Sequence, residues 1–412
     1  TTLTLARSEI ASILEDQDVA DPAEADEDTP VVRGTADKDR EETFGVRRVE
    51  RREGVPALYV VPWHGQTGTD INEEIYREMV EDIKAADPDY IVIEVDCEDY
   101  ELGYFTELFP AEQGYTDINA LDDYRRILDL FHDDLRDYKQ VVWVKQAIGM
   151  ASTLVLAWDT IYMRPGSNLE GAEKAAINFD RVKADADMFG KFREAYMGLI
   201  RGFALRSGRG NGYHHIVDAM ILPEATLSAT WKGREVQWEL GTGGEYDIDR
   251  SSERVAKFTA RTAENFGISS GTADNLDDVA LLLGLREYDV IEASSREIFE
   301  DYVEDWRKTL ERVEELAEDY QKHMSWAQGD EYITYFGRAI RDLEGILRCI
   351  RQYDAVRIRA AQQFGIQEQQ IELQIKIMKE QLAAVRRGNR GAIGQGGRQA
   401  PGGGGGRVNP GG

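Results

Sequence analysis

Four short apolar runs, separated by stretches of helical period, constrain this chain more than any other feature. They are Leu58–Trp63, Tyr90–Asp96, Val141–Val144 and Thr160–Met163. Between the first two, Ile71, Ile75, Met79 and Ile83 recur every four residues, the period of an amphipathic helix. Leu121, Ile127, Leu128, Phe131 and Leu135 mark another helix, and alanine-rich Ala147–Trp158 predicts a third. The runs are continuous rather than alternating, as expected of strands covered on both faces. Strand and helix in alternation at this spacing predict a largely parallel sheet with helical crossovers.

Beyond the fourth run, Met188–Ser207 reads as a helix with Gly208 in the position of its C-cap. Residues 230–250 read as a hairpin insertion turning at Gly241-Thr242-Gly243-Gly244. After Asp289 the texture changes to long helices. Ile298, Tyr302, Trp306, Leu310, Val313 and Tyr320 form one apolar stripe, and Tyr332, Phe336, Ile340, Leu343, Leu347 and Ile350 a second. Ile371, Ile375, Met378, Leu382 and Val385 alternate by four and three, a heptad seam too short for an independent coiled coil. A helical hairpin or an oligomer contact is the expectation, with self-association through residues 296–386. Glu15–Pro30 holds eight acidic residues and two prolines, and Gly388–Gly412 holds 12 glycines. Neither segment carries enough apolar surface to offset chain entropy. The predicted organisation is a disordered acidic tail over 1–54, an α/β domain over 55–290, a helical extension over 291–387 and a glycine-rich disordered tail over 388–412.

Charge and composition narrow the function. Lys and Arg number 49 against 77 Asp and Glu, a net charge of −28. Affinity for phosphate backbones comes from clustered Lys and Arg, so a nucleic-acid partner is not expected. Cys97 and Cys349 are the two cysteines, which excludes a disulfide framework and a cysteine zinc cluster. His64, His132, His214, His215 and His323 contain no i, i+4 pair; His214 and His215 point to different faces if helical, and no metal site is expected. Gly208-Arg209-Gly210-Asn211-Gly212 follows a helix rather than a strand, so it is not a nucleotide-binding loop, and no cofactor is expected. Glu94, Asp96, Glu98, Asp99 and Glu101 offer carboxylates for a cation, though a solvated strand end is the commoner use. No run reaches the roughly 18 apolar residues of a membrane span. Thr1 stands where Met would, which points to a removed leader and export, with a cytoplasmic location as the alternative.

Four pieces in this order resemble one superfamily. Tyr90–Asp96 resembles the strand that leads into that family's Asp-Thr-Pro-Gly-Gly. Ala147–Ser167 resembles its Ala-Ser-Ala-Gly helix, aspartate, strand and Pro-Gly-Ser. Gly198–Arg209 resembles its helix ending in Ser-Gly-Arg, and Phe258–Leu285 resembles the stretch near the domain's end. The chain from about Leu58 to about Leu285 thus resembles the Clp/crotonase superfamily, nearest to signal-peptide-peptidase A and NfeD-type serine proteases. The resemblance implies an α/β spiral of ββα units, here followed by a mainly α-helical C-terminal extension. It also implies a cleft between a β-edge and the nucleophile helix, where a peptide adds as a strand.

Such proteases use a serine at a helix N-terminus, a desolvated lysine as base and two backbone N–H groups as oxyanion hole. Matched residue by residue, the base falls on Lys191, the nucleophile on Gly149 and the oxyanion pair on Asp99 and Tyr100. An aspartate there places negative charge where an oxyanion develops. Ser152 lies one helical turn from Gly149 and is the rescue candidate, unless its hydroxyl bonds back to the Ile148 carbonyl. The resemblance therefore implies a catalytically lapsed protease-like protein that binds a peptide or protein partner and assembles with copies of itself. The alternative is an active serine endopeptidase with a shifted Ser152/Lys191 dyad. An acyl-CoA enzyme of the crotonase branch also needs the oxyanion pair and is disfavoured by Asp99 and Tyr100.

Overall fold

The computed structural model describes residues 52–97, 118–171, 186–251 and 253–396. Asp99, Tyr100 and both predicted terminal tails up to residue 51 and from residue 397 lie outside them. Among the described residues the chain divides into two compact units, one up to Trp306 and one from Arg307 onward.

The first unit is built on a parallel sheet. Strand β1 (Ala57–His64) leads through a tight loop into helix α1 (Glu73–Ala86), and β2 (Tyr90–Cys97) follows. Helix α2 (Ile118–Asp129) runs into a π-helical turn, Leu130–Asp134, before β3 (Lys139–Ile148). A short helix α3 (Met150–Val155) precedes β4 (Ile161–Met163) and β5 (Asn168–Glu170). β1, β2, β3 and β4 lie side by side in chain order, each parallel to the last. Two short strands close the path: β10 (Gly271–Thr272) beside β4 and β11 (Asp289–Ile291) beside β1.

β3 pairs with two strands along its length. Val142–Val144 pair with β4, whereas Ala147 and Ile148 pair with β5, which in turn meets β9 (Lys257–Thr259) antiparallel. That pairing explains one departure from expectation. Ala147 and Ile148 read as the start of a helix but belong to β3, and only Met150–Val155 is helical. Two ladder partners on the same strand outweigh alanine's helical preference.

Both sheet faces are covered, as the continuous apolar runs required. On one face Leu58, Val92, Val141, Trp143 and Tyr162 pack with Val279 and Ala280 of helix α7 (Leu276–Leu282). On the other, Trp63 stacks on Phe131 at 6.2 Å and meets Tyr76 and Trp158 edge-on. Helix α1 buries Ile75, Tyr76, Met79, Val80 and Ile83; Asn72 caps its first turn by accepting from the Glu74 N–H at 2.8 Å. Helices α4 (Ala186–Leu205), α5 (His215–Ile221) and α6 (Ala260–Asn265) complete the layer structure.

The predicted hairpin is a three-stranded antiparallel sheet, β6 (Leu227–Lys232), β7 (Glu235–Leu240) and β8 (Tyr246–Asp249), ordered β7-β6-β8. Its tight turn is at Gly233, while Gly241–Gly244 carries the chain from β7 across to β8.

Helix α8 (Ala293–Trp326) begins in the first unit. There the Ser295 hydroxyl donates to the Val60 carbonyl at 2.6 Å, and Asn72 donates to the Tyr302 hydroxyl at 2.6 Å. The second unit holds the rest of α8 with α9 (Tyr332–Gln352), α10 (Asp354–Phe364) and α11 (Glu368–Gly396). Helix α11 continues nine residues into the segment read as a tail, because extending an existing helix adds a hydrogen bond per residue without a new nucleus. The three predicted stripes bury against one another: Val313, Leu316 and Tyr320 from α8, Phe336, Leu343, Ile346 and Ile350 from α9, and Ile371, Ile375, Met378 and Leu382 from α11. The fold is thus mixed α/β with a parallel sheet and a helical C-terminal region, the class expected from the sequence.

Candidate functional site

In open α/β sheets the carboxyl ends of parallel strands are the usual place for chemistry. Here that edge is formed by His64 of β1, Asp96 and Cys97 of β2, and Ile148 of β3 with the turn that follows. Gly149 sits in that turn, directly before α3, with φ +69° and ψ −135°. Few residues other than glycine adopt this backbone conformation without strain. Among the described residues, a Cβ built on Gly149 would meet nothing within 4 Å. The Gly149 N–H donates to the Glu170 carbonyl at 2.9 Å, which fixes the turn against β5.

Ser152 is fully buried. Its hydroxyl lies 2.6 Å from the Gly149 carbonyl and 2.8 Å from the Glu170 carbonyl. The back-bond expected to Ile148 goes one residue further along, to Gly149, because Ile148 is engaged in the strand. A hydroxyl held by two carbonyls has its single proton committed. Lys191 lies on α4 with its side chain exposed, and among the described residues it makes no hydrogen bond or ion pair. Among the described residues no hydrogen bond joins Ser152 to Lys191.

A second group at the same end of the sheet escaped the sequence reading. Glu94 of β2 is buried, and one of its oxygens, Oε1, is approached by His64 Nε2 at 2.8 Å and Lys145 Nζ at 3.0 Å. Arg296 Nη2 of α8 stands 3.5 Å from the same oxygen. Burial pushes the Glu94 carboxyl up, but the hydrogen bonds from His64 and Lys145 and their charges outweigh it and hold it at about 2. Lys145 also lies 4.7 Å above the Trp143 ring, and His64 packs edge-on to Phe299 at 5.9 Å. Glu94 is therefore an internal counter-ion rather than a cation ligand. The available sequence signal was a charged residue inside an otherwise apolar strand.

The remaining candidates resolve simply. The Cys97 thiol is buried, donates to the Trp63 carbonyl at 3.4 Å and is pushed far up by burial, so it is protonated and unreactive. His214 and His215 do not diverge, since their ring centroids are 4.2 Å apart. His215 Nδ1 lies 3.2 Å from Asp218, whose other oxygen accepts from Arg201 at 2.6 Å. Among the described residues no three His, Cys, Asp or Glu side chains converge as metal ligands, and no helix is long and apolar enough to cross a membrane.

No protein-family model matches the chain, and no curated protein does. Among solved structures the chain is similar to a membrane-bound stomatin-specific protease, a mutant in complex with a substrate peptide. That match has 13% identity and a TM-score of 0.36 and covers 60% of this chain and 99% of that one. The membrane protease specific for a stomatin homolog from Pyrococcus horikoshii matches with 13% identity and a TM-score of 0.32, covering 57% of this chain and 92% of that one. A peptidase from Plasmodium falciparum matches with 9% identity and a TM-score of 0.29, covering 52% and 95%.

Proposed function

We propose that this chain is a protease-like protein of the Clp/crotonase type that has lost hydrolysis and acts by holding a peptide or a protein partner. The observation that carries the reading is Gly149: at the position matched to the family's nucleophile the turn after β3 has a glycine's backbone, and a Cβ there would meet none of the described residues. Ser152 does not replace it, being fully buried with its hydroxyl between two carbonyls. Lys191, the residue matched to the family's base, is exposed on α4 among the described residues, whereas such a base needs desolvation. Asp99 and Tyr100 in the oxyanion positions remain part of the proposal on sequence grounds alone. Assembly with further copies through residues 296–386 belongs to it as well.

A fluorophosphonate probe tests the hydrolytic part. The wild-type chain is expected to take no label and to leave casein intact. Wild-type labelling that disappears in Ser152→Ala would establish the shifted dyad and end the pseudoenzyme reading. The binding part is tested by selecting displayed peptides on the wild type and on Gly149→Phe, which places a large side chain at that position. Peptides enriched on the first and lost on the second are expected; equal enrichment would place the binding surface elsewhere.

A further inference from the structure

A cavity of about 500 Å³ lies at the amino-terminal ends of β2 and β3, the opposite end of those strands from Gly149. Its lining contains three permanent cations, Arg136, Lys139 and Arg206, against a single carboxylate, Asp159. In a chain whose net charge is −28, a cavity with surplus positive charge is contrary to the surface as a whole.

Two of the cations are unspent. Lys139 forms no ion pair among the described residues; its ammonium sits 3.4 Å from the Tyr90 hydroxyl and 4.9 Å above the Tyr90 ring. Arg136 has only Asp137, at 3.9 Å and with both side chains largely in water, an arrangement of little energetic worth. Arg206 is shared with Asp129.

The wall is built rather than incidental. The π-helical turn Leu130–Asp134 places His132 in the lining, with its ring 5.0 Å from that of Trp158. π-turns of this kind occur often at functional sites. Gln140 pins the turn, donating to the Phe131 carbonyl at 2.6 Å and the Leu135 carbonyl at 3.0 Å and accepting from the Trp158 indole at 2.9 Å. His132 Nε2 is buried and has no hydrogen-bond partner among the described residues. Burial, and then the neighbouring Arg206, lower the His132 pKa, so the ring is neutral at pH 7 and keeps one N–H to donate.

We propose that this cavity binds a small phosphate monoester with an aromatic body. Arg136 and Lys139 are the cations the lining leaves for an anion, and a phosphoryl group carries enough acceptor oxygens to take N–H donors from both. Tyr90, Tyr138 and Trp158 supply flat apolar surface for the ring. The site does not depend on whether the Gly149 end of the sheet hydrolyses anything.

Calorimetric titration of the full chain with phenyl phosphate tests this. Saturable binding with a Kd below about 1 mM is expected, with phenol and benzoate weaker by about tenfold or more. Arg136→Gln with Lys139→Gln, both near the surface, should weaken phenyl phosphate about tenfold or more, while Arg206→Lys, which keeps the charge beside Asp129, should retain most of the affinity. Benzoate binding as tightly as phenyl phosphate would overturn the assignment to a phosphate ligand. Absence of saturation up to about 10 mM, or equal affinity in the double variant, would overturn the site itself.

Discussion

At the scale of single residues, Glu94 has the clearest thermodynamic signature. Its carboxyl sits at about 2 in the folded protein against an ordinary 4.5. A lowered folded pKa gives stability that is complete above the unfolded value and is lost as pH falls through the folded one. The window is therefore pH 4.5 down to about 2, and the full effect is about 3 kcal/mol as an upper limit. Glu94→Gln, which leaves Lys145 and Arg296 facing an uncharged amide, should lower stability at pH 7 by about 2–3 kcal/mol. Urea midpoints measured from pH 7 to pH 2 should converge for the two proteins at the acid end. A gap that stays constant with pH would show that the cations do not act through this carboxylate. Gly149 gives a second expectation at this scale. Gly149→Ser meets no steric obstacle among the described residues but must adopt φ +69°, so it should fold with a loss of about 1–2 kcal/mol in chemical denaturation. It should acquire no fluorophosphonate label, because the lysine matched to the base stays in solvent. Labelling of that variant would show that the missing side chain is the sole defect.

At the scale of elements, the helical unit is fixed by a few close approaches. A Cβ on Gly345 would come within 2.9 Å of the Leu316 side chain, so α8 and α9 touch where α9 has no side chain. Gly345→Val should overpack that crossing and lower stability by about 1–3 kcal/mol, read from the thermal midpoint. If the midpoint is unchanged, the two helices do not pack at the distance described. The Gln374 amide of α11 donates to the Tyr320 hydroxyl of α8 at 2.6 Å, and both side chains are buried. Elements also show what a sequence can convey. β1, β2 and the helix behind Ile75, Met79 and Ile83 were legible because burial on both faces, or on one stripe, leaves a repeating apolar signal. β5, β9, β10 and β11 have two or three residues each, too few for any period to register. The extension of β3 through Ala147 and Ile148 depends on partners β2 and β5, which adjacent residues do not encode. Helix α10 was missed because small Ala355, Val356 and Ala360, rather than large apolar residues, mark its buried side. The same limit hid the Glu94 group: its partners His64, Lys145 and Arg296 arrive from β1, β3 and α8, and only folding brings them together.

At the scale of the molecule, the question is what the helical unit leaves for other chains. Three apolar stripes pointed to self-association through residues 296–386, because one small domain has no need of so much covering surface. Most of that surface is used inside a single chain, where the stripes of α8, α9 and α11 bury one another. Polar contacts accompany the packing: His323 meets Asp342 at 2.6 Å, Arg351 binds Glu368 at 2.7 Å and Lys379 binds Glu344 at 2.6 Å. Among the described residues of this unit, the large apolar side chains left in solvent are Trp326, 53% exposed, and Leu373, 59% exposed. Single exposed apolar residues are common on monomers and do not by themselves require a partner. Strong net negative charge also opposes association, through repulsion between like-charged copies that salt screens. Assembly through the described faces of the helices would therefore be driven by Trp326 and Leu373 and would tighten as ionic strength rises. Sedimentation of the full chain in low and high salt should show that increase, and Trp326→Ser with Leu373→Ser should abolish it without altering the thermal midpoint. Assembly that survives the double variant would move the interface off the helical unit, and the exposed Leu281 and Leu282 at the end of α7 would be the next surface to alter.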